Sequence, residues 1–188
     1  ALERAIEAVE KAHALGMDVG FDAHTRLYGI TNLSAALPTW AFEGGPEKLG
    51  ARLQDPEARS RIRRFESIVS TKEIVGWDRL FLFTSEGSPE LVWKSFEELI
   101  PVGGDVFDPI FDILAKECDD PHRSLVISHS YEEEWVREAL RHPLCTTESD
   151  ATALATDGPL AGSVFLGAYT WAAWFFRRLV KETKEFTV

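Results

Sequence analysis

Two short apolar segments of this chain each end in a group of polar residues, and this arrangement constrains the fold more than any other feature. The first segment, 17–22, leads into His24, Thr25 and Arg26, and the second, 144–147, leads into Glu148-Ser149-Asp150. Short apolar runs bounded by polar residues predict buried strands. Because ligands of α/β proteins bind at the carboxyl ends of strands, we predict an α/β fold with a candidate site at these two ends.

Other residues predict where helices begin and end. Residues 1–15 carry apolar side chains at helical spacing, and Gly16 suits the left-handed residue that closes a helix. Asp55, which a proline follows, predicts an N-cap. Ser130 and Glu133 have the spacing of a capping box that opens a helix. Helix-like segments therefore lie between the predicted strands, as an α/β fold requires.

Length and charge exclude several classes of protein. The 188 residues are enough for one domain with its own core. The formal charge of −11 would repel the phosphate backbone of nucleic acid and an anionic membrane surface. The most hydrophobic run, 164–176, falls short of the roughly 20 residues that cross a bilayer. We therefore expect no nucleic-acid partner and no membrane span.

Cysteines and histidines give no complete metal site in this chain. Cys118 and Cys145 lie far apart without CxxC spacing, so neither a disulfide framework nor a thiolate zinc site is predicted, and a reducing cytoplasm is the expected location. The five histidines show no HxH or HExxH spacing. They are positions 13, 24, 122, 129 and 142. By themselves they are interpreted as ordinary surface or helix-end histidines.

The order of several longer segments resembles a known family. The segments are "GMDVGFDAHTRLYGITNLSAALPTWAFEGG", "LQDPEARSRIR", "WKSFEEL", "SYEEEWVREALRHPLCTTESDA" and an aromatic helix ending in "RRLVKE". In this order they resemble the C-terminal half of the catalytic barrel of D-aminoacylases (N-acyl-D-amino-acid deacylases), in the amidohydrolase superfamily. The resemblance covers nearly the whole chain.

The resemblance implies a metal-dependent (β/α)8 hydrolase that removes the acyl group from an N-acyl-D-amino acid, with zinc as the usual metal. Residues 1–188 would then be one fragment, a partial TIM barrel of α/β class. Residues 27–85 would form a helix- and loop-containing insertion over the active site. A small-molecule N-acyl-D-amino acid is the implied partner of the complete enzyme.

Asp150 is the implied catalytic residue. Ser149-Asp150 matches the family's Ser-Asp pair, in which the aspartate contacts the metal-bound water and acts first as general base and then as general acid. A carboxylate suits this work because it can accept the water's proton and pass it to the leaving amine. By spacing alone, Ser-Asp is more often a helix cap or a loop carboxylate than a catalytic pair, and the surrounding segments reverse that weighting.

Substrate binding is implied for His24, Arg26 and Tyr28, where this chain departs from the family. The family's Tyr-Pro-Tyr stretch is replaced here by His24-Thr25-Arg26-Leu27-Tyr28. The family's carboxylate-binding arginine is also absent from the corresponding stretch, 158–160. Either Arg26 or Tyr28 grips the substrate carboxylate, or the substrate is not an ordinary N-acyl-D-amino acid. A third reading pairs Arg26 with a carboxylate of the insertion.

The family's histidine metal ligands belong to strands that would precede Ala1, and the chain has no initiator methionine. We therefore expect a fragment that binds no metal and has no activity when isolated. A partial barrel exposes sheet edges, so we also expect this chain to pair with a copy of itself or to rearrange.

A non-catalytic binding or assembly module on a hydrolase-derived scaffold is the alternative. Its contact surface would be the apolar residues Leu33, Leu37, Trp40 and Phe42. A hydrolase that uses serine or cysteine has little support, because the chain has no GxSxG motif and neither cysteine has a histidine neighbour in sequence.

Overall fold

The computed structural model describes residues 2–67, 76–149, 157–158 and 167–187. Within these ranges the chain is mixed α/β, with two small sheets and no closed barrel. The α/β class predicted from the sequence is confirmed. The chain divides into two compact units. We call residues 1–27 with 131–188 the discontinuous unit, and residues 28–130 the inserted unit.

Among the described residues the helices and strands are as follows. The helices are α1 Leu2–Ala14, α2 Pro46–Gln54, α3 Pro56–Ile62, α4 Phe96–Leu99, α5 Phe107–Lys116, α6 Glu133–Arg141 and α7 Gly167–Phe175, which continues as a π-helical segment Phe176–Glu182. The strands are β1 Phe21–His24, β2 Tyr28–Asn32, β3 Leu80–Thr84, β4 Leu125–His129 and β5 Cys145–Glu148. None of the helices in the described ranges is long and apolar enough to cross a membrane.

The discontinuous unit is built on one parallel strand pair. Strands β1 and β5 run side by side, with Phe21 opposite Cys145 and His24 opposite Glu148. Helix α6 directly precedes β5 in the chain and packs against both strands. The elements β1, α6 and β5 therefore form a βαβ arrangement, and the inserted unit lies within its connection in the sequence.

Both predicted strands are present with shifted bounds. The first was predicted over 17–22, and β1 begins only at Phe21, whose amide donates to Leu144 O at 3.0 Å. The residues before Phe21 are not strand, because the ladder with the neighbouring strand starts at this bond. Gly16 has φ of 85° directly after α1, so the predicted left-handed helix end is confirmed.

One face of helix α6 contributes to the apolar core of the discontinuous unit. Val136 and Leu140 are buried together with Leu179 of the C-terminal helix. The partly buried side chains packed around them are Ala23, Leu27, Cys145, Trp174, Phe175 and Phe186. Two arginines of α6, Arg137 and Arg141, both pair with Glu185. Burial of apolar area at about 25 cal/mol per Å² is the main stabilising contribution here.

The capping box predicted at Ser130 and Glu133 is wrong. Helix α6 begins at Glu133 after Glu132, and no side chain caps it. Ser130 Oγ instead lies 2.5 Å from Ser128 Oγ. The Glu133 carboxylate accepts hydrogen bonds from Arg137 one turn later, and these lower the pKa of Glu133. Both members of the predicted box therefore have other partners.

The inserted unit contains a three-stranded antiparallel sheet in the order β2-β4-β3. Helices α2 and α5 pack against each other beside it. At the junction of α2 and α3, Asp55 Oδ2 accepts the amide of Ala58 at 2.7 Å, which confirms the predicted N-cap. The largest side chains of its core are Leu33, Leu49, Leu53, Ile62, Leu80, Leu82, Phe96, Ile110, Phe111, Ile113 and Leu114.

One carboxylate is almost fully enclosed in the inserted unit. Glu117 is 2 % exposed, and Oε1 accepts from Ser85 Oγ at 2.6 Å and from the Gly87 amide at 2.7 Å. Oε2 accepts from Ser124 Oγ at 2.7 Å. Burial raises the pKa of Glu117, but these hydrogen bonds outweigh it, so the net pKa is lowered. The ionised side chain of Glu117 therefore links the turn at Ser85 and Gly87 to Ser124, the residue before β4.

We predict that Glu117→Gln destabilises the chain by about 2–4 kcal/mol at pH 7, because an amide cannot accept all three donors. Since the folded pKa lies below the unfolded value of about 4.3, the carboxylate stabilises the fold above that pH. This contribution disappears as the pH falls through the folded pKa. Urea unfolding of both proteins from pH 7 to pH 3 should show the difference shrinking. The exposed Glu97→Gln is the matched control.

We predict that Gly20→Ala weakens the parallel pair by about 1–3 kcal/mol. A Cβ at Gly20 would lie 2.9 Å from Leu144 O, a backbone atom that can move only if the strands separate. Hydrogen exchange of the β1 and β5 amides should accelerate. In the control Gly29→Ala, the Cβ meets the hydroxyls of Ser128 and Ser130 at an ordinary 3.6–3.7 Å, so exchange should hardly change. If both substitutions accelerated exchange of the β1 and β5 amides equally, the close approach of Gly20 to Leu144 would be contradicted.

Candidate functional site

The carboxyl ends of β1 and β5 bring together an imidazole and a carboxylate. His24 and Glu148 are the last residues of their strands and lie directly opposite each other. His24 Nε2 is 4.0 Å from Glu148 Oε1, and both side chains are mostly buried, at 14 % and 27 % exposed. The ring of Tyr131 stacks on His24 with centroids 5.9 Å apart. The imidazole thus lies between a carboxylate and an aromatic ring. At 4.0 Å the imidazole and the carboxylate are too far apart for a hydrogen bond and form an ion pair only when the imidazole is protonated.

A second contact between the two segments forms just beyond the strand ends, two residues after β1 and one residue after β5. Arg26 Nη2 donates to Ser149 Oγ at 3.2 Å, although 123 residues separate the two in sequence. This contact ties the segment after β1 to the segment after β5. It also leaves other N–H groups of the guanidinium for a second partner, because arginine carries five.

Two polar atoms beside these contacts are buried without a hydrogen-bond partner among the described residues. They are Thr25 Oγ1 and Arg26 Nε. Thr25 is 1 % exposed, so its hydroxyl has no access to bulk water. A buried polar atom without a partner costs about 1–3 kcal/mol, and such atoms concentrate at functional sites. The end of β1 therefore offers an acceptor and a donor to a group outside the described residues.

The predicted catalytic residue Asp150 lies outside the described residues, as do Pro159 and Leu160. Its chain neighbour Ser149 is described and is fixed by Arg26. The site is therefore described up to the residue before Asp150.

Tyr28 belongs to the inserted unit, whereas His24 and Arg26 belong to the discontinuous unit. Tyr28 is 50 % exposed, and its ring stacks on His129 with centroids 4.8 Å apart. The three predicted substrate-binding residues thus fall into two sets, of which only His24 and Arg26 share a strand end.

The described residues do not by themselves make a zinc site. Catalytic zinc takes three protein ligands from His, Cys, Asp or Glu. Over the described ranges no group of three or more such side chains could hold a metal ion. At the strand ends, His24 and Glu148 supply two donors, one fewer than zinc needs.

Sequence reasoning named His24 and Arg26 but missed the partners that Glu148, Ser149 and Tyr131 provide. The signal for Glu148 and Ser149 was present, since both follow the second apolar segment directly. Tyr131 had no such signal, because it lies in the connection between the inserted unit and α6. Only the pairing of β1 with β5 shows which of these residues meet.

Comparisons with known proteins give no relative from which a role could be transferred. No protein-family model matches the chain, and no curated protein and no solved structure matches it either. The function is therefore argued from the residues and their geometry.

The surroundings of Cys145 predict that its thiol reacts slowly. Burial and then the charge of Asp22 raise the pKa of the Cys145 thiol. Because the thiolate is the reacting species, Asp22→Asn should speed alkylation of Cys145 by iodoacetamide at pH 8 by roughly twofold. The measurement is mass spectrometry in a Cys118→Ser background. Asp18→Asn, an exposed aspartate nearby in sequence, should leave the rate unchanged; a similar acceleration there would argue against the pairing.

Proposed function

We propose that this chain is part of a metal-dependent amidohydrolase barrel that hydrolyses the linear amide bond of N-acyl-D-amino acids. One observation carries the proposal: two parallel neighbouring strands, β1 and β5, have a facing polar group at their carboxyl ends. The segments that resemble D-aminoacylases include both strand ends.

The βαβ arrangement supports a partial TIM barrel. In a (β/α)8 barrel, consecutive strands are parallel neighbours joined through a helix, and active-site residues follow the carboxyl ends of the strands. The elements β1, α6 and β5 meet the first condition, and His24 with Glu148 meets the second. The inserted unit enters the chain after β1, in the kind of loop where such barrels carry additions over the site. Most of the predicted insertion, 27–85, falls in this unit.

Asp150 is the general base and then the general acid of the proposed reaction. It follows Ser149, whose hydroxyl is bound by Arg26, so the position of the chain before Asp150 is fixed by a cross-strand hydrogen bond. A carboxylate is suited to this role because it can accept a proton from the attacking water and donate it to the leaving amine. Arg26 in this view both orients the strand end and binds substrate.

The substrate's carboxylate is proposed to bind Arg26. Its Nε is buried without a partner among the described residues, and a guanidinium edge matches a carboxylate in two parallel hydrogen bonds. Thr25 Oγ1 offers a further hydrogen bond beside it. His24, the last residue of β1, is the other proposed substrate-binding residue at this strand end.

Zinc would supply an activated water in the complete enzyme, held by ligands from residues that precede this chain. The isolated chain is accordingly proposed to bind no zinc and to be inactive, and to pair with a copy of itself or rearrange where its strand edges are open. Its proposed location is the cytoplasm, in keeping with two free cysteines.

The test uses an extended protein, which is the complete reading frame that contains these 188 residues, loaded with zinc. We predict hydrolysis of N-acetyl-D-amino acids by the extended protein and none by the 188 residues alone. Asp150→Asn should lower kcat by at least about 10³-fold with little change in KM, because the proton transfer is lost. The exposed Asp157→Asn, a few residues later, should retain activity.

An extended protein that binds zinc and folds but hydrolyses no N-acyl amino acid of either configuration would refute the deacylase and favour the non-catalytic binding module. An Asp150→Asn protein as active as its parent would instead refute Asp150 as the general base and acid.

A further inference from the structure

Three hydrogen-bonding side chains form a row across one end of the sheet in the inserted unit. Tyr28 on β2 lies directly opposite His129 on β4. On the other side of β4, Leu80 lies opposite Ser128. The preceding residue, Arg79, therefore falls beside His129, and Arg79 Nη2 is 3.3 Å from His129 Nδ1. Residues that face each other across strands share one face of the sheet. Tyr28 is exposed on this face, and His129 and Arg79 are partly buried.

These contacts decide where the imidazole carries its proton. Arginine only donates hydrogen bonds, so His129 Nδ1 accepts from Arg79 and the neutral ring keeps its proton on Nε2. The Tyr28 ring lies nearly parallel to the imidazole, at 21°. His129 is thus held from two sides, and its Nε2–H is a donor in a fixed orientation.

We propose that the row Tyr28, His129 and Arg79 binds a small oxyanion, either a carboxylate or a phosphate. The three side chains of the row supply a guanidinium, an imidazole N–H and a phenol hydroxyl. All three groups can donate hydrogen bonds to an anionic oxygen. The chain as a whole carries a charge of −11, so an anion would be attracted only where such donors are concentrated. Tyr28 is half exposed, so solutes can reach the row from water.

Binding at this row is independent of deacylation. All three residues belong to the inserted unit, and no metal is required. The 188-residue chain itself is therefore the protein to test, and failure here would leave the Asp150 experiment unaffected.

The experiment titrates the isolated chain at pH 7 with inorganic phosphate and, separately, with N-acetylglycine as the carboxylate probe. Amide and side-chain NMR signals of the row should shift in a saturable manner. Arg79→Gln should raise the dissociation constant at least about tenfold, as expected for the loss of a charged hydrogen bond. The exposed Arg64→Gln makes the same charge change in the same unit and should leave the constant unchanged.

His129→Phe provides a second variant in case Arg79→Gln does not fold. It keeps a ring for Tyr28 to stack on and removes the Nε2–H, so it should also weaken binding. Saturable binding of either probe that both variants weaken supports the row, and the probe that binds more tightly identifies the anion. Absence of saturable shifts with both probes would overturn the proposal, as would equal weakening by Arg64→Gln.

Discussion

The parallel pairing of β1 with β5 is the constraint on which the candidate site depends. The two strands are distant in sequence, and each is only four residues long. A pair of this size is marginal by itself, so it needs the apolar face of α6 to cover it. Val136 and Leu140 provide that face. Where the pairing holds, His24 meets Glu148 and Arg26 meets Ser149; without it, none of these contacts can form.

The inserted unit is stabilised differently. Its sheet is antiparallel, its helices α2 and α5 enclose a continuous apolar core, and it contains a buried carboxylate. Glu117 is tolerated there because three donors compensate for its burial. The inserted unit thus has its own core and its own polar network, as expected for a compact unit of residues 28–130.

The proposed chemistry follows from where polar groups lie relative to these elements. At the ends of β1 and β5, Arg26 donates to Ser149, the residue that precedes Asp150 in the sequence, and two buried polar atoms lack a partner among the described residues. At the end of the three-stranded sheet, an arginine and a histidine share a hydrogen bond. The first group suits hydrolysis of an amide whose substrate carries a carboxylate, and the second suits binding of an anion. Both rest on donors grouped in a chain that is otherwise strongly acidic.

Much of the local structure was predictable from the sequence. Gly16 closes α1, Asp55 caps α3, and the two apolar segments do contain strands that end in polar residues. These features depend on residues within a few positions of one another. The capping box at Ser130 failed because Ser128 and Arg137 provide other partners for its two members.

The sequence by itself determined that the chain is α/β and that polar residues gather after two short strands, because periodicity and turn chemistry are local properties. Only the tertiary structure decided that His24 faces Glu148, that Arg26 holds Ser149, and that Tyr28, His129 and Arg79 form one row. Each of these contacts depends on strand register between segments that are far apart in the chain. Register is set by the packing of whole elements, and no short stretch of sequence contains that information.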